Sequence, residues 1–427
     1  MWLKLKLWIA NPAKNLWVQP TMGALFALFF SVLASFSHLF IPERWIIDIK
    51  AETLLDLIEI ISGSMLAVTT FSLSIMVSAL SATSSSTTPR ARLLVMSDPN
   101  ARLAITSFIS AFIYSVIAKI TLGLQYYGTS GRFVMFVGTL LVLAYLIITL
   151  IRWVQTLSNI GSLSDTLQKI DVITKENLEH YRQHPNHGIN GQRPTTEPLH
   201  IIYAAATGYL FHMEFQTLNN WCEQSAAHIH IVNPINALIS KDNVLFEIFA
   251  ETDSPLQQNS KEDWRIAEQE LGTMVAIQAD PSYQQDPVSG IQMLAEVAHR
   301  ALSAAVNDPG TAIRTVSMIT SLLTDTQAKE GEENDYPLLS ICSRSAAMFS
   351  SVFYPLARDG VSSLEFITHT LRCMSILHRN APEAELRESV VVEAAKIYLL
   401  ARQSNSHTQD QFILDNVWKE TFPDWQQ

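Results

Sequence analysis

Residues 54–80 read LLDLIEIISGSMLAVTTFSLSIMVSAL. About 20 helical residues span a hydrocarbon core of roughly 30 Å, so this run is long and apolar enough to cross a bilayer. It is not a plain lipid-facing rod, however. Gly63, Ala67, Thr70, Ser74, Ser78 and Ser81 recur at three- or four-residue spacing, which places them on one face of a helix. Small residues let helix backbones approach, and their hydroxyls can bond a neighbour or their own carbonyls. The same face, if wetted, could line a path for an ion or small solute. Packing is the commoner use of such a stripe. The segment then runs into a hydroxyl-rich stretch, Ser81–Thr88, closed by Pro89-Arg90.

Working outward, Thr21–Ile41, Leu103–Leu124 and Phe133–Ile151 are three more runs of spanning length, and together the four predict a four-helix transmembrane domain over 1–154. Val32-Leu33-Ala34 resembles a signal-peptide processing site. The apolar run continues past it, so the first span is expected to be retained. Asp56 and Glu59 near one end of the second span, and Lys119 in the third, can snorkel to headgroups or pair across the helices; snorkelling is the default. Lys4, Lys6, Lys14, Arg90, Arg92, Arg102 and Arg152 flank one side of the spans, against Arg44, Lys50 and Arg132 on the other. The positive-inside rule then puts both termini in the cytoplasm. Trp17, Trp45, Tyr126, Tyr127 and Trp153 sit where interfacial rings are expected.

Composition agrees with two solvents. Only 16% of the 427 residues are charged and 48% are apolar, against roughly 25% charged in soluble domains. Residues 1–154 hold 11 basic and 6 acidic side chains; of the 29 and 40 in the whole chain, 18 and 34 remain for the rest. An acidic remainder argues against nucleic acid as a partner, because phosphates demand a basic face. Cys222, Cys342 and Cys373 are too few for a disulfide framework or a zinc cage.

From residue 155 the pattern becomes amphipathic. Leu157, Ile160, Leu163, Leu167 and Ile170 predict a helix leaving the membrane, with a linker to 199. Glu176, His180, His184 and His187 share its spacing and could be metal ligands. Pro185 disrupts the last turn and no cysteine or carboxylate completes the set, so they read as a solvated face and no metal is expected. A cytosolic domain fills 200–427. Its first part, about 200–255, has strand-like runs at Gly208–Phe215, His228–Val232 and Val244–Phe249 around a helix at Thr217–Ser225. His228 and His230 share a strand face and read as surface residues. Helices are expected over Trp264–Ile277, Ile291–Ala305, Thr311–Leu323, Leu338–Ser351, Val361–His378 and Pro382–Arg402. The fold class is thus a multi-pass helical membrane domain followed by a mixed α/β, mainly helical one.

The most distinctive local sequence is His299-Arg-Ala-Leu-Ser-Ala-Ala-Val-Asn-Asp-Pro-Gly-Thr311. Pro309 keeps Asp308 out of the helical region and suits the first position of a new helix. Asp308 can cap that helix, and Asn307 tolerates the left-handed geometry that ends the one before. A helix-to-helix hinge suffices to explain these residues. The free amides beyond the cap, with Arg300 nearby and Thr311 following, could also hold an anion.

With these residues in hand, the chain resembles the uncharacterised bacterial membrane-protein family known as domain of unknown function 2254. Phe71-Ser72, Thr88-Pro89-Arg90, Asp98 and Phe108–Tyr114 carry the likeness in the membrane half. Thr207-Gly208-Tyr209, Gln285-Asp286-Pro287, Arg300–Ser303, Asn307-Asp308-Pro309 and Thr311-Ala312 carry it beyond. Ser282-Tyr283 and Ala304 depart from the family pattern, which has Arg-Thr and Pro there. The resemblance implies a multi-span protein of the bacterial inner membrane and supplies no activity.

No P-loop, HExxH, G-x-S-x-G or CxxC is present, and no enzyme class or cofactor is indicated. Three readings remain: a channel- or transport-type protein whose second span lines a path within a homo-oligomer, a membrane-anchored sensor or scaffold for cytosolic partners, and an enzyme with a site around Arg300, Asn307 and Asp308. The hydroxyl-bearing span favours the first.

Overall fold

The structure is a computed structural model, and it describes residues 18–36, 49–86, 88, 90, 99–124, 128–157, 162–189, 191–250, 254–282, 286–327, 336–342 and 345–423. The chain divides into two units, Trp2–Thr166 and Leu167–Gln427.

In the first unit, α1 (Val18–Ser35), α2 (Ala51–Ser86), α3 (Pro99–Gly123) and α4 (Thr129–Leu157) pack together. Among the described residues, three helices are long and apolar enough to cross a membrane, at Ala51–Ala79, Asn100–Gly123 and Thr129–Leu157. The first expected span is helical to Ser35, and its remainder lies outside the described residues. So do the flanking Lys4, Lys6, Lys14, Trp17, Arg44, Trp45, Arg92, Tyr126 and Tyr127. Trp153 is described and is buried: it is 2% exposed, in a cluster with Met65, Ala104, Phe108 and Leu146.

Inside the unit, small residues set the approach of the helices. A Cβ on Gly23 would stand 2.5 Å from that of Ser110, and one on Gly138 would strike the ring of Phe30. Glycine is needed at both contacts, as is usual where membrane helices touch. Outward-facing positions are apolar instead. Phe29, Ile60, Phe71, Val77, Leu141 and Ile151 are all more than half exposed, the arrangement that lipid rather than water rewards.

The second unit begins within α5 (Leu163–Gln183). Leu167, Ile170 and Leu178 are fully buried, and Gly290 lets a later helix close onto Thr174. Of the apolar stripe read from the sequence, Leu167 and Ile170 are thus buried here, Leu157 packs in the first unit, and Ile160 lies outside the described residues. Two sheets follow. One has the order β1 (His200–Tyr203), β5 (Val244–Ala250), β3 (Ala227–Ile231), β7 (Leu339–Ile341); the other has β4 (Leu238–Ile239), β2 (Gly208–Met213), β6 (Val275–Gln278). All pairings are antiparallel except β3 with β7, which aligns Ile229 with Leu339 and Ile231 with Ile341. Helix α6 (Phe215–Ser225) packs Leu218, Trp221 and Cys222 into the core with Leu210, Ile229, Phe246 and Ile248. Helix α7 (Lys261–Thr273) opens with a capping box of Ser260 and Asp263, which satisfies two of its first amides.

Two expected helices differ. Val275–Ile277 belongs to β6, because α7 ends at Thr273 and the next residues pair with β2. Leu338–Ser351 is not one helix either: its start is β7 and its end a 3₁₀ turn, Ala346–Val352. Helical periodicity of a short apolar run cannot be told from a buried strand, and an open edge of β3 decides it. The remaining helices are α8 (Ser289–Leu302), α9 (Pro309–Asp325), α10 (Phe353–Asp359), α11 (Leu364–Asn380), α12 (Ala384–Ser404) and α13 (Thr408–Thr421). They bury Leu294, Ile319, Phe353, Phe366, Leu371 and Ile397 in a second apolar core.

Candidate functional site

The stripe on α2 emerges from a periodic sequence and a neighbour arrangement together. Leu54, Ile58, Ile61, Met65, Thr69 and Ser72 form the buried face of α2. The opposite face carries Gly63, Ala67, Thr70, Ser74, Ser78 and Ser81, and every one of the six is exposed. A Cβ added to Gly63 would meet nothing within 4 Å. Among the described residues, then, nothing within the chain packs closely on these small residues. Three of their four hydroxyls bond back to the helix: Thr70 Oγ1 donates to the carbonyl of Leu66 at 3.0 Å, Ser74 Oγ to Thr70 at 3.0 Å and Ser81 Oγ to Val77 at 3.1 Å. Such back-bonding lets a polar side chain sit in an apolar medium and still offer an oxygen sideways. Asp56 and Glu59 prolong the stripe by two turns. Glu59 does not snorkel alone; Lys119 Nζ on α3 lies 3.0 Å from its Oε2. Within the resemblance-bearing pair, Phe71 faces outward while the Ser72 hydroxyl is buried and has no hydrogen-bond partner among the described residues.

The Asn-Asp-Pro turn has the geometry that the residue types require. Asn307 adopts φ 48°, a left-handed conformation that asparagine tolerates better than most residues. The Asp308 amide donates to the carbonyl of Ala301 at 2.7 Å, closing the end of α8. Asp308 then caps α9. Its Oδ1 accepts from the Thr311 amide at 3.0 Å and its Oδ2 from the Thr311 hydroxyl at 2.6 Å, with Pro309 in the first turn. Those two donors hold the Asp308 carboxyl below the usual carboxylate range. A carboxylate already stands where an anion would bind, which removes the electrostatic reason for one. Arg300 lies on the last turn of α8, and its neighbour His299 places Nδ1 2.6 Å from Asp359.

A third locus was not assembled by sequence reading. The end of α5 brings Asn177, His180, Tyr181 and His184 to one wall of a solvent-open cleft. The 3₁₀ turn Pro185–Gly188 follows, with Asn186, His187 and Gly188 all at positive φ. That reversal folds His187 back toward His180. Ring centres are 5.1 Å apart for His180 and His184 and 6.4 Å for His180 and His187, and His187 stacks on Phe215 at 5.0 Å. His184 is 7% exposed and His187 half-buried, so the expected solvated face is solvated at Glu176 and His180 alone. Asp286, Cys342, Pro234, Ile235 and Pro287 complete the wall. Asp286 is buried, accepting from Asn236 Nδ2 at 2.8 Å and from the Val288 amide at 3.0 Å. Partial burial, and next the charge of His184, push His180 below the ordinary histidine pKa. Among the described residues, no three histidine, cysteine or acidic side chains form a group that could hold a metal ion. The carboxylate and the thiol missing from the local sequence arrive from about 100 and 160 positions away, which no local pattern can signal.

His228 and His230 are also not simple surface residues. Both contact the buried Ser340 hydroxyl, through Nε2 at 2.8 Å and Nδ1 at 3.0 Å. Glu247, held by Arg193 at 2.8 Å, flanks His230. Burial lowers the pKa of both rings. Gly208 of the Thr-Gly-Tyr segment has a plain role: a Cβ there would lie 2.6 Å from the Gln278 carbonyl across the β2–β6 ladder.

A family model described as predicted membrane protein (DUF2254) matches residues 13–375. No curated protein and no solved structure matches the chain.

Proposed function

The chain belongs to the DUF2254 family of predicted membrane proteins, and from that premise we propose that it is a channel- or transport-type protein of the bacterial inner membrane. Several copies assemble so that the Gly63–Ser81 face of α2 lines a path for an ion or small solute. Both termini and the second unit lie on the cytoplasmic side, where that unit regulates the path.

The observation that carries this reading is the exposure of all six small and hydroxyl residues on a helix of spanning length. A face offering rows of oxygens gains nothing from lipid tails, whereas the rest of the unit presents phenylalanine, isoleucine and leucine outward. Four spans enclose little volume, so the path needs the facing stripe of a second copy.

The test uses single cysteines at Ser74 and Ser78 in protein whose Cys222, Cys342 and Cys373 are replaced. With the protein in vesicles, a small membrane-impermeant thiol reagent should modify both positions and block solute flux. Protection of both, with reaction only at the ends of α2, would mark the stripe as a dry contact between copies. Background flux from active-folded protein would leave the anchored sensor or scaffold as the better account.

A further inference from the structure

Helix α12 has more apolar surface than its own chain covers. From Val390 to Ala401 it reads VVVEAAKIYLLA, apolar nearly all round, and such a helix is stable when it is covered on every side. Leu386, Val390, Ala394, Ile397 and Ala401 face the core of the unit. Val392 and Leu399 point outward, each 47% exposed. With Glu388, Ala395 and Arg402 they recur at spacings of four, three, four and three residues, the seam along which one helix packs on another. The stripe is its own complement. Ala395 stands at its centre, and Glu388 and Arg402 each lie seven residues from it, about 10.5 Å along the helix. An antiparallel copy, related by a two-fold axis beside Ala395, sets each Glu388 against the other's Arg402 and each Val392 near the other's Leu399. A contact of this isologous kind closes after two copies. The charges are placed to allow it. Glu388 is exposed and makes no ion pair among the described residues. Arg402 is half-exposed, with Asp415 at 3.4 Å. Lys396, next to the axis, is already neutralised by Glu393 at 2.7 Å. The small Ala395 lets the two helices approach to the short end of the usual separation of about 8–10 Å.

We propose that this face of α12 is an interface with a second copy of the chain, an antiparallel helix pair centred on Ala395 and closed at both ends by Glu388–Arg402 ion pairs. The contact belongs to the second unit alone, and it holds whether or not α2 lines a path.

The test places Ala395→Cys in the full-length chain with Cys222, Cys342 and Cys373 replaced, and oxidises membranes carrying it with copper phenanthroline. Helix axes about 8–10 Å apart, with Cα atoms about 2.3 Å from each axis, set the two Ala395 Cα atoms about 3.4–5.4 Å apart. That range overlaps the roughly 4.4–6.8 Å that a disulfide spans. A dimer band on a non-reducing gel, lost on reduction, is the expected result. Glu388→Arg should slow its formation about tenfold, because the two-fold axis counts each changed pair twice. Adding Arg402→Glu should restore the original rate, which a merely disturbed fold would not do. Chains carrying both Val392→Cys and Leu399→Cys give the same readout at exposed positions, should Ala395→Cys fail to fold. A chain that stays monomeric under oxidation would overturn the proposal, whether its thiol is open to a soluble maleimide or covered by something else. Equal rates in the parent, Glu388→Arg and the double charge variant would mark random collision and overturn it as well.

Discussion

Arg182 offers the sharpest test of how the second unit is held together. It lies at the end of α5, its side chain is 6% exposed, and its partner Glu383 is 18% exposed. Its Nε and Nη2 donate to the two Glu383 oxygens at 2.8 and 3.1 Å. Its other contacts are the carbonyls of Leu323, at 2.8 Å, and Thr326. Those carbonyls belong to the end of α9, which has no amides of its own to satisfy them. One guanidinium therefore ties α5, α9 and the start of α12. Arg182→Met keeps the apolar stem but leaves a mostly buried carboxylate and two carbonyls without their donor. Breaking a buried pair from one side costs about 3–5 kcal/mol. For a unit of this size, with about 2–4 °C of unfolding temperature per kcal/mol, the drop should be about 6–20 °C by calorimetry of the full chain in detergent. Glu383→Gln in the same background should then be much less harmful than in the wild type. A drop under about 2 °C, or strictly additive single and double variants, would refute the claim that this pair joins the three helices.

Other expectations follow from the same geometry. Asp308→Ala should cost about 1 kcal/mol through loss of the α9 cap, while Asp308→Asn keeps most of it; equal losses in an unfolding titration would deny the capping role. Because the folded Asp308 carboxyl titrates below its ordinary value, its contribution is complete above the ordinary carboxylate pKa of about 4 and disappears as pH falls through the lower folded value. Asp308→Asn should flatten that acid limb. His228 and His230 are held below the ordinary histidine pKa, so the unfolded chain takes up protons first as pH falls below about 6.5. Unfolding temperature should decline from that point downward, and His228→Gln/His230→Gln should flatten the decline; an unchanged slope would place the acid sensitivity elsewhere. Gly290→Ala forces a methyl into Thr174 and should destabilise the second unit by about 1–3 kcal/mol, read as a lower denaturation midpoint.

Legibility in the sequence followed the range of the interactions involved. Long apolar runs and the Asn-Asp-Pro hinge are governed by the nearest few residues, and both were readable. The helix α2 stripe was equally plain as a pattern, yet whether it packed or stood open depended on which face α3 and α4 chose to cover. Leu54, Ile58 and Met65 outcompeted it because larger apolar side chains bury more area. The segment at Leu338 looked helical because its true partner, Ile229, is more than 100 positions away. Likewise the cleft histidines looked solvated because Asp286 and Cys342 reach them only through tertiary folding. Trp153 shows the same limit: an indole near a helix end suits a headgroup belt or a buried cluster, and its burial among neighbours was not legible.

The parallel pairing of β7 with β3 has a temporal meaning as well. Until the ribosome has delivered Ile341, the strand at Ala227–Ile231 presents one unfilled edge to its surroundings, and such edges invite adhesion between nascent chains. The α/β module cannot finish when its own stretch, up to about residue 255, has emerged. It waits on residues translated after α9, so the second unit closes as a whole late in synthesis, and any chain cut short before Leu339 would be left sticky rather than merely shorter.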